Sequence, residues 1–206
     1  MSRPPARIRS ALGAAAMALA AALLVAMGTA GCAGGDIGAN TPGSSGQSFV
    51  SHSYESTFYR VGDRPLAPVV AGSTISGQKI SLASYRGDTI VLNFWGSWCA
   101  PCRAEAPALG QLARNLAAKG VKFIGVDIRD QPDSARAFMQ TFNVGYPSLN
   151  DPGDEIALEF HSTVPPAAIP TTLIIDRSGR IAARIFGASS YAQLQALISK
   201  VIGQPA

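Results

Sequence analysis

The sequence predicts an α/β domain in which a central mixed sheet is flanked by helices and preceded by an N-terminal β-hairpin. Three observations predict it. Thr89-Ile90-Val91-Leu92-Asn93-Phe94 is a short, apolar, β-branched run of the kind that fills a strand buried on both faces. A helical stretch from 99 to about 118, closed by Lys119-Gly120, separates it from a second such strand at 121–127. Further on, 171–176 and 180–186 read as a hairpin through Arg177-Ser178-Gly179, followed by a last helix.

The remaining elements fit around these. Residues 69–74 and 78–82 form the expected N-terminal hairpin, with the Ser76-Gly77 pair as its turn. Pro132-Asp133 opens a helix running to about Phe142, proline being suited to a first turn because its missing N–H has no helical partner there. Residues 148–149 make a short strand and 155–160 a short helix. Ser189 or Ser190 caps the final helix, which runs to Ile202 with Leu194, Leu197, Ile198 and Val201 on one face.

At 206 residues the chain has room for one ordinary domain plus appendages. Residues 1–31 read as an export signal: Arg3, Arg7 and Arg9, then an apolar run from 11 to 26, then the small residues Gly28, Ala30 and Gly31. The run is shorter than the roughly 20 residues that span a bilayer. Thr29-Ala30-Gly31-Cys32 resembles the lipobox of bacterial lipoproteins, with Thr29 where that box usually has Leu, which implies a lipid on Cys32 after cleavage. A plain signal peptide cut nearby, or an uncleaved anchor, are the alternatives. All three place the folded part outside the cytoplasm.

Residues 32–58 are then the lipidated cysteine and a flexible tether, and 59–206 the globular domain. From 33 to about 53 the chain is mostly Gly, Ser, Asn and Thr, too polar to bury the surface that would offset ordering entropy. Such a tether has a root-mean-square reach of roughly 25 Å. Removing Arg3, Arg7 and Arg9 lowers the formal net charge from +4 to +1, because residues 1–31 contain no acid. No basic patch remains for nucleic acid. Three cysteines are an odd number for an exported protein, and lipidation of Cys32 leaves a pair.

That pair lies in Phe94-Trp95-Gly96-Ser97-Trp98-Cys99-Ala100-Pro101-Cys102-Arg103, followed by Glu105 and Pro107. A buried strand feeds two cysteines at the start of a helix. Unpaired N–H groups and the positive end of the helix dipole stabilise a thiolate there, so Cys99 is the expected nucleophile. Cys102, three residues on and better shielded, is close enough to form a disulfide and is the expected resolving thiol. Structural zinc needs four ligands, and beyond this pair the mature chain offers only His52 and His161. An inert disulfide would constrain the unfolded chain little across so short a loop and would leave the flanking tryptophans unexplained.

Trp-Cys-Xaa-Pro-Cys-Arg with Pro107 five residues after Cys102 resembles the thioredoxins. The match is closer to the TlpA/ResA/DsbE group, the membrane-tethered, redoxin-like thioredoxins. Its pattern is resembled by Leu82-Xaa-Xaa-Tyr85-Xaa-Gly87, by Asn93-Phe94-Trp95 where ordinary thioredoxins carry a buried Asp, and by Cys-Xaa-Pro-Cys-Arg-Xaa-Glu-Xaa-Pro. The resemblance covers about 61 to 202 and implies a thioredoxin-like fold with thiol-disulfide oxidoreductase activity.

It also implies that Pro170 is cis and packs against the disulfide, that the backbone of Ile169 pairs with the substrate chain, and that Ala100 and Pro101 tune the redox centre. Trp98, abutting Cys99, shields the site and contacts substrate. Aligning 126–130 with the group puts Asp130 where its members carry a carboxylate near the cysteines, with Asp127 as the alternative; as ordinary residues both are acids of a strand end or helix cap. No metal or organic cofactor is implied.

The implied partners are protein thiols and disulfides, among them apocytochrome c, with electrons from a membrane thiol relay, and the membrane itself through the lipid anchor. A disulfide-forming oxidant is the alternative within the group. Two further classes fit less well. A peroxiredoxin-like module would carry Thr or Ser where Gly96 stands, and a copper-binding module would space its cysteines by three and add a histidine.

Overall fold

The computed structural model describes residues 55–165 and 168–204. The export segment, Cys32 and the tether up to residue 54 lie outside the described residues. Among the described residues, eight strands and four α-helices follow in order: β1 (Glu55–Phe58), β2 (Ala71–Ser73), β3 (Lys79–Ser81), β4 (Thr89–Trp95), α1 (Ala100–Leu116), β5 (Val121–Ile128), α2 (Pro132–Thr141), β6 (Ser148–Asp151), α3 (Glu155–Glu159), β7 (Thr171–Ile175), β8 (Ile181–Phe186) and α4 (Tyr191–Ile202).

The main sheet has the order β1-β8-β7-β4-β5-β6, with β4, β5 and β6 parallel and the β7, β8 and β1 side antiparallel. This is the thioredoxin-like mixed sheet. Stepping from β4 to β5 to β6 in one direction by right-handed crossovers lays α1 and α2 on the same face. Leu109 and Leu112 of α1, Ala135 and Phe138 of α2, and Leu194 and Ile198 of α4 bury that face with Val91, Trp95 and Phe123. The alternate residues Ile90, Leu92, Phe94, Ile124 and Val126 point the other way, against Val70, Ile80, Leu82 and Phe160. All seven residues of β4 are therefore buried, as its unbroken apolar run requires.

The N-terminal hairpin pairs β2 with β3 through a turn at Gly77, whose φ of +85° suits glycine. It fastens to the sheet edge through a bridge from Thr74 to Leu149 and through the Ile75 N–H, which donates to the Ser148 carbonyl at 2.8 Å.

The domain begins earlier than the boundary at residue 59. Glu55–Phe58 forms β1, paired antiparallel with β8 from Glu55 opposite Phe186 to Phe58 opposite Ala183. Glu-Ser-Thr-Phe carries no apolar alternation, because an edge strand is held by backbone pairing and this one buries little. Its Phe58 ring lies under the Lys200 ammonium, 3.8 Å from the ring centre.

Strand direction decides where the site lies. β4 ends at Trp95 beside Asp127 near the end of β5, and Phe94 stands opposite Thr171, the first residue of β7. The loop to α1, the loop after β5 and the Ile169-Pro170 segment therefore meet at one end of the sheet. No helix among the described residues is long and apolar enough to cross a membrane.

Candidate active site

Cys99 is the N-cap of α1, and Cys102 lies in its first turn beside Pro101. The two sulfurs are bonded to each other, with Cα atoms 5.3 Å apart. The Cys102 N–H also donates to Cys99 Sγ at 3.2 Å. An N–H of the first helical turn thus points at the Cys99 sulfur, at the end of a helix where negative charge is favoured. Cys102 is more deeply buried than Cys99.

The approach loop is held from both sides. Arg103 donates to the Ser97 carbonyl through Nε at 3.0 Å and Nη2 at 2.7 Å. The Ser97 N–H donates to Asp130 Oδ2 at 2.6 Å, and Asp130 Oδ1 accepts from the Gln131 N–H at 2.8 Å. Asp130 is thus a buried anchor for backbone, neither a solvated acid nor a side-chain cap of α2. Asp127, three residues earlier and still within β5, is fully buried.

Trp98 is 50% exposed, and its Nε1 lies 2.8 Å from where a Cβ on Gly96 would stand. The indole folds back over a position that only glycine leaves open. Ala100 is exposed, Pro101 half-buried.

The Ile169-Pro170 peptide bond is cis. Pro170 is buried, its carbonyl accepts from the Gly187 N–H at 2.9 Å, and Ile169 packs against the core that includes both cysteines. A shallow apolar groove lined by Phe94, Ile128, Leu158, Val164 and Ile169 opens beside it.

Glu105 is the acid that the sequence reading passed over. Three residues after Cys102 it shares that face of α1, and it is 2% exposed. Oε1 accepts from Asn93 Nδ2 at 2.8 Å; Oε2 accepts from the Ser189 N–H at 3.1 Å and the Ser189 hydroxyl at 3.3 Å. Asn93 also donates to Thr172 Oγ1 at 3.0 Å. Burial pushes the Glu105 carboxyl up to about 7, against the pull of these donors. The signal was present in the motif, where Glu105 follows Cys102 at helical spacing below Asn93, but the Ser189 partner is distant in sequence.

Residues 64–184 match the family model described as the AhpC/TSA family. The chain belongs to the AhpC/TSA family. It is 30% identical over 135 residues to the thiol-disulfide oxidoreductase ResA of Bacillus thuringiensis subsp. konkukian, covering 66% of this chain and 76% of that one. A secreted thiol-disulfide isomerase from Corynebacterium glutamicum superposes with a TM-score of 0.68 at 30% identity, covering 72% of this chain and 92% of that one. A DsbF homologue from Corynebacterium diphtheriae gives 0.65 at 30% identity, covering 79% and 99%. The expected resemblance and fold are borne out, and this AhpC/TSA member is a thiol-disulfide oxidoreductase of the ResA/HelX/DsbE type.

Proposed function

We propose that the chain works outside the cytoplasm as a protein-disulfide reductant, held at a membrane through a lipid on Cys32. The observation that carries this reading is the bonded Cys99–Cys102 pair at the start of α1 in a chain 30% identical to the thiol-disulfide oxidoreductase ResA, with Glu105 buried one helical turn beyond Cys102. A reductant must ionise two thiols in turn. The helix start favours the thiolate at Cys99, and Glu105 supplies a base for the more buried Cys102.

In the forward direction the Cys99 thiolate attacks one sulfur of a substrate disulfide, forming a mixed disulfide and expelling a substrate thiolate that takes a proton from water. Cys102 passes its proton to Glu105 and attacks Cys99 Sγ. The Cys99–Cys102 bond forms, the second substrate thiol leaves, and two electrons have passed to the substrate. A membrane dithiol relay then restores the reduced pair. The Ile169 backbone pairs with the substrate chain, Pro170 lines the disulfide, Trp98, Ala100 and Pro101 frame the approach, and the groove beside Ile169 takes an apolar side chain next to the substrate cysteine. Apocytochrome c, whose haem-attachment cysteines must be reduced, fits as a substrate. The ResA likeness and the secreted relative support the location.

The test is the reduction potential of the Cys99/Cys102 pair, equilibrated with glutathione or dithiothreitol. A value near the roughly −270 mV of thioredoxin supports a reductant, and one near the roughly −120 mV of a strong oxidant makes the protein a disulfide-forming enzyme instead.

A further inference from the structure

The end of the domain opposite the cysteines is where β4 and β5 begin and where β7 turns into β8. Basic side chains gather there. Arg177 and Arg180 lie in the β7–β8 turn, and the Arg86 guanidinium reaches the same turn, donating to the Ser178 carbonyl at 3.2 Å. Lys119 precedes Gly120, whose carbonyl accepts from the Thr89 N–H at 2.9 Å. Arg60 follows Tyr59, whose N–H donates to the Ala182 carbonyl beside the start of β8. These five bases are exposed, and only Asp63 and Asp88 stand among them, because Asp176 is buried and paired with Arg64. The cysteine end has no such excess: Arg129 and Arg136 pair with Asp154 and Asp133, and Arg103 is turned onto the Ser97 carbonyl.

Apolar side chains are set among these bases. Of the large apolar residues strongly exposed among the described residues, Trp98 and Leu158 belong to the active site, while Val61, Leu66 and Val69 lie at the basic end, at 46%, 57% and 62% exposure. Leu66 forms a bridge with Arg180, Val69 shares a shallow groove with Arg86 and Gly179, and Val61 follows Arg60. Exposed apolar side chains rimmed by bases are what contact with a lipid surface requires: the apolar groups enter the boundary between headgroups and acyl chains, and the bases meet anionic phosphates.

Taking the membrane location above as given, we propose that this end is a lipid-facing surface, on which Arg60, Arg86, Lys119, Arg177 and Arg180 hold anionic headgroups while Val61, Leu66 and Val69 dip into the interface. In the docked state Cys99 faces the aqueous side, where a substrate arrives, and lifting off the surface frees the domain to meet a membrane dithiol. The tether is long enough for docking. The chain enters the domain at Glu55, which pairs with Phe186 at the cysteine end, so residues 33–54 must run back along the sheet. The seven residues of β4 span roughly 23 Å, against a maximal extension of roughly 75 Å for that segment.

The test adds the full chain to vesicles whose lipids carry brominated acyl chains, which quench tryptophan at close range. The natural chain reports the cysteine end, because Trp98 is exposed and Trp95 is buried. Val69→Trp, at an exposed position, reports the basic end. On phosphatidylglycerol vesicles the added indole should be quenched while Trp98 is not, and on phosphatidylcholine vesicles the quenching of the added indole should be lost. Adding Arg177→Gln and Lys119→Gln to Val69→Trp removes two bases from exposed positions, which lowers the docked-to-free ratio about 25-fold at roughly fivefold per base.

An unquenched Val69→Trp on phosphatidylglycerol overturns the proposal and leaves this end to an acidic protein. Equal quenching on the two lipids overturns it too, as does quenching of Trp98 that matches that of the added indole. Flotation of the chain with phosphatidylcholine vesicles, and its loss in Cys32→Ser, reports the lipid anchor separately, so the anchor and the docking surface fail independently.

Discussion

The carboxyl of Glu105 on α1, one helical turn after Cys102, accepts a hydrogen bond from the side-chain amide of Asn93 on β4 at 2.8 Å. Ordinary thioredoxins place an acid on the strand; here the strand carries the amide and the helix carries the acid. The bond fixes the direction in which the Glu105 carboxyl faces and leaves its proton affinity to be set chiefly by burial.

Glu105 therefore makes stability depend on pH. Below about 4.5 it is protonated in both the folded and unfolded chain. Between there and about 7 only the unfolded chain releases the proton, so rising pH favours unfolding. Above that both forms are ionised and the loss levels off at roughly 3 kcal/mol. Denaturant unfolding of oxidised protein should show Glu105→Gln gaining on the natural chain across this window. A difference that does not change with pH would show that Glu105 titrates normally. In the reduced protein the same variant should slow the step in which Cys102 resolves a mixed disulfide.

Cys99→Ser should abolish disulfide exchange with a peptide disulfide. Cys102→Ser should accumulate a mixed disulfide, visible as an adduct by mass spectrometry, because the first attack remains and the second is lost. Turnover retained in Cys99→Ser would overturn the assigned order of attack.

Gly125 on β5 should tolerate no side chain. A Cβ there would stand 2.2 Å from Ser148 Oγ and 2.6 Å from Trp95 Nε1, both buried within the sheet. Gly125→Ala should cost about 1–3 kcal/mol in thermal or denaturant unfolding through overpacking. An unfolding midpoint equal to that of the natural chain would mean that Trp95 and Ser148 move apart freely.

Arg64 and Asp176 form a buried ion pair at 2.8 Å, at the end of the sheet away from the cysteines. Removing Arg64 takes the partner from Asp176 Oδ2 while Oδ1 keeps its donors from Ser178 and Arg180, so Arg64→Ala should destabilise the fold by about 3 kcal/mol, the low end for breaking a buried pair. The reduction potential of the cysteine pair should stay unchanged, and a shifted potential would mean that the two ends of the sheet are coupled.

Local chemistry made much of this protein legible. The apolar run of β4 announced a doubly buried strand, Lys119-Gly120 closed α1 and its short 3-10 extension with Gly120 at φ +70°, and Ser190 caps α4 with the reciprocal Gln193 contact. The cysteine pair was legible because its chemistry depends on helix position, which nearest neighbours decide. β1 was missed because an edge strand is specified by its partner β8 more than by its own four residues.

The sequence by itself determined the element order, the redox pair and the order in which its two thiols are expected to act, since these follow from spacings within one strand and one helix turn. Only the tertiary structure decided which acids are buried. Asp127 and Asp130 are three residues apart, yet one meets no backbone donor and the other anchors Ser97, while Glu105 meets Ser189 from the far end of the chain. Proton affinity depends on desolvation and on donors brought from distant segments, and neither is written in the residues that lie next to an acid.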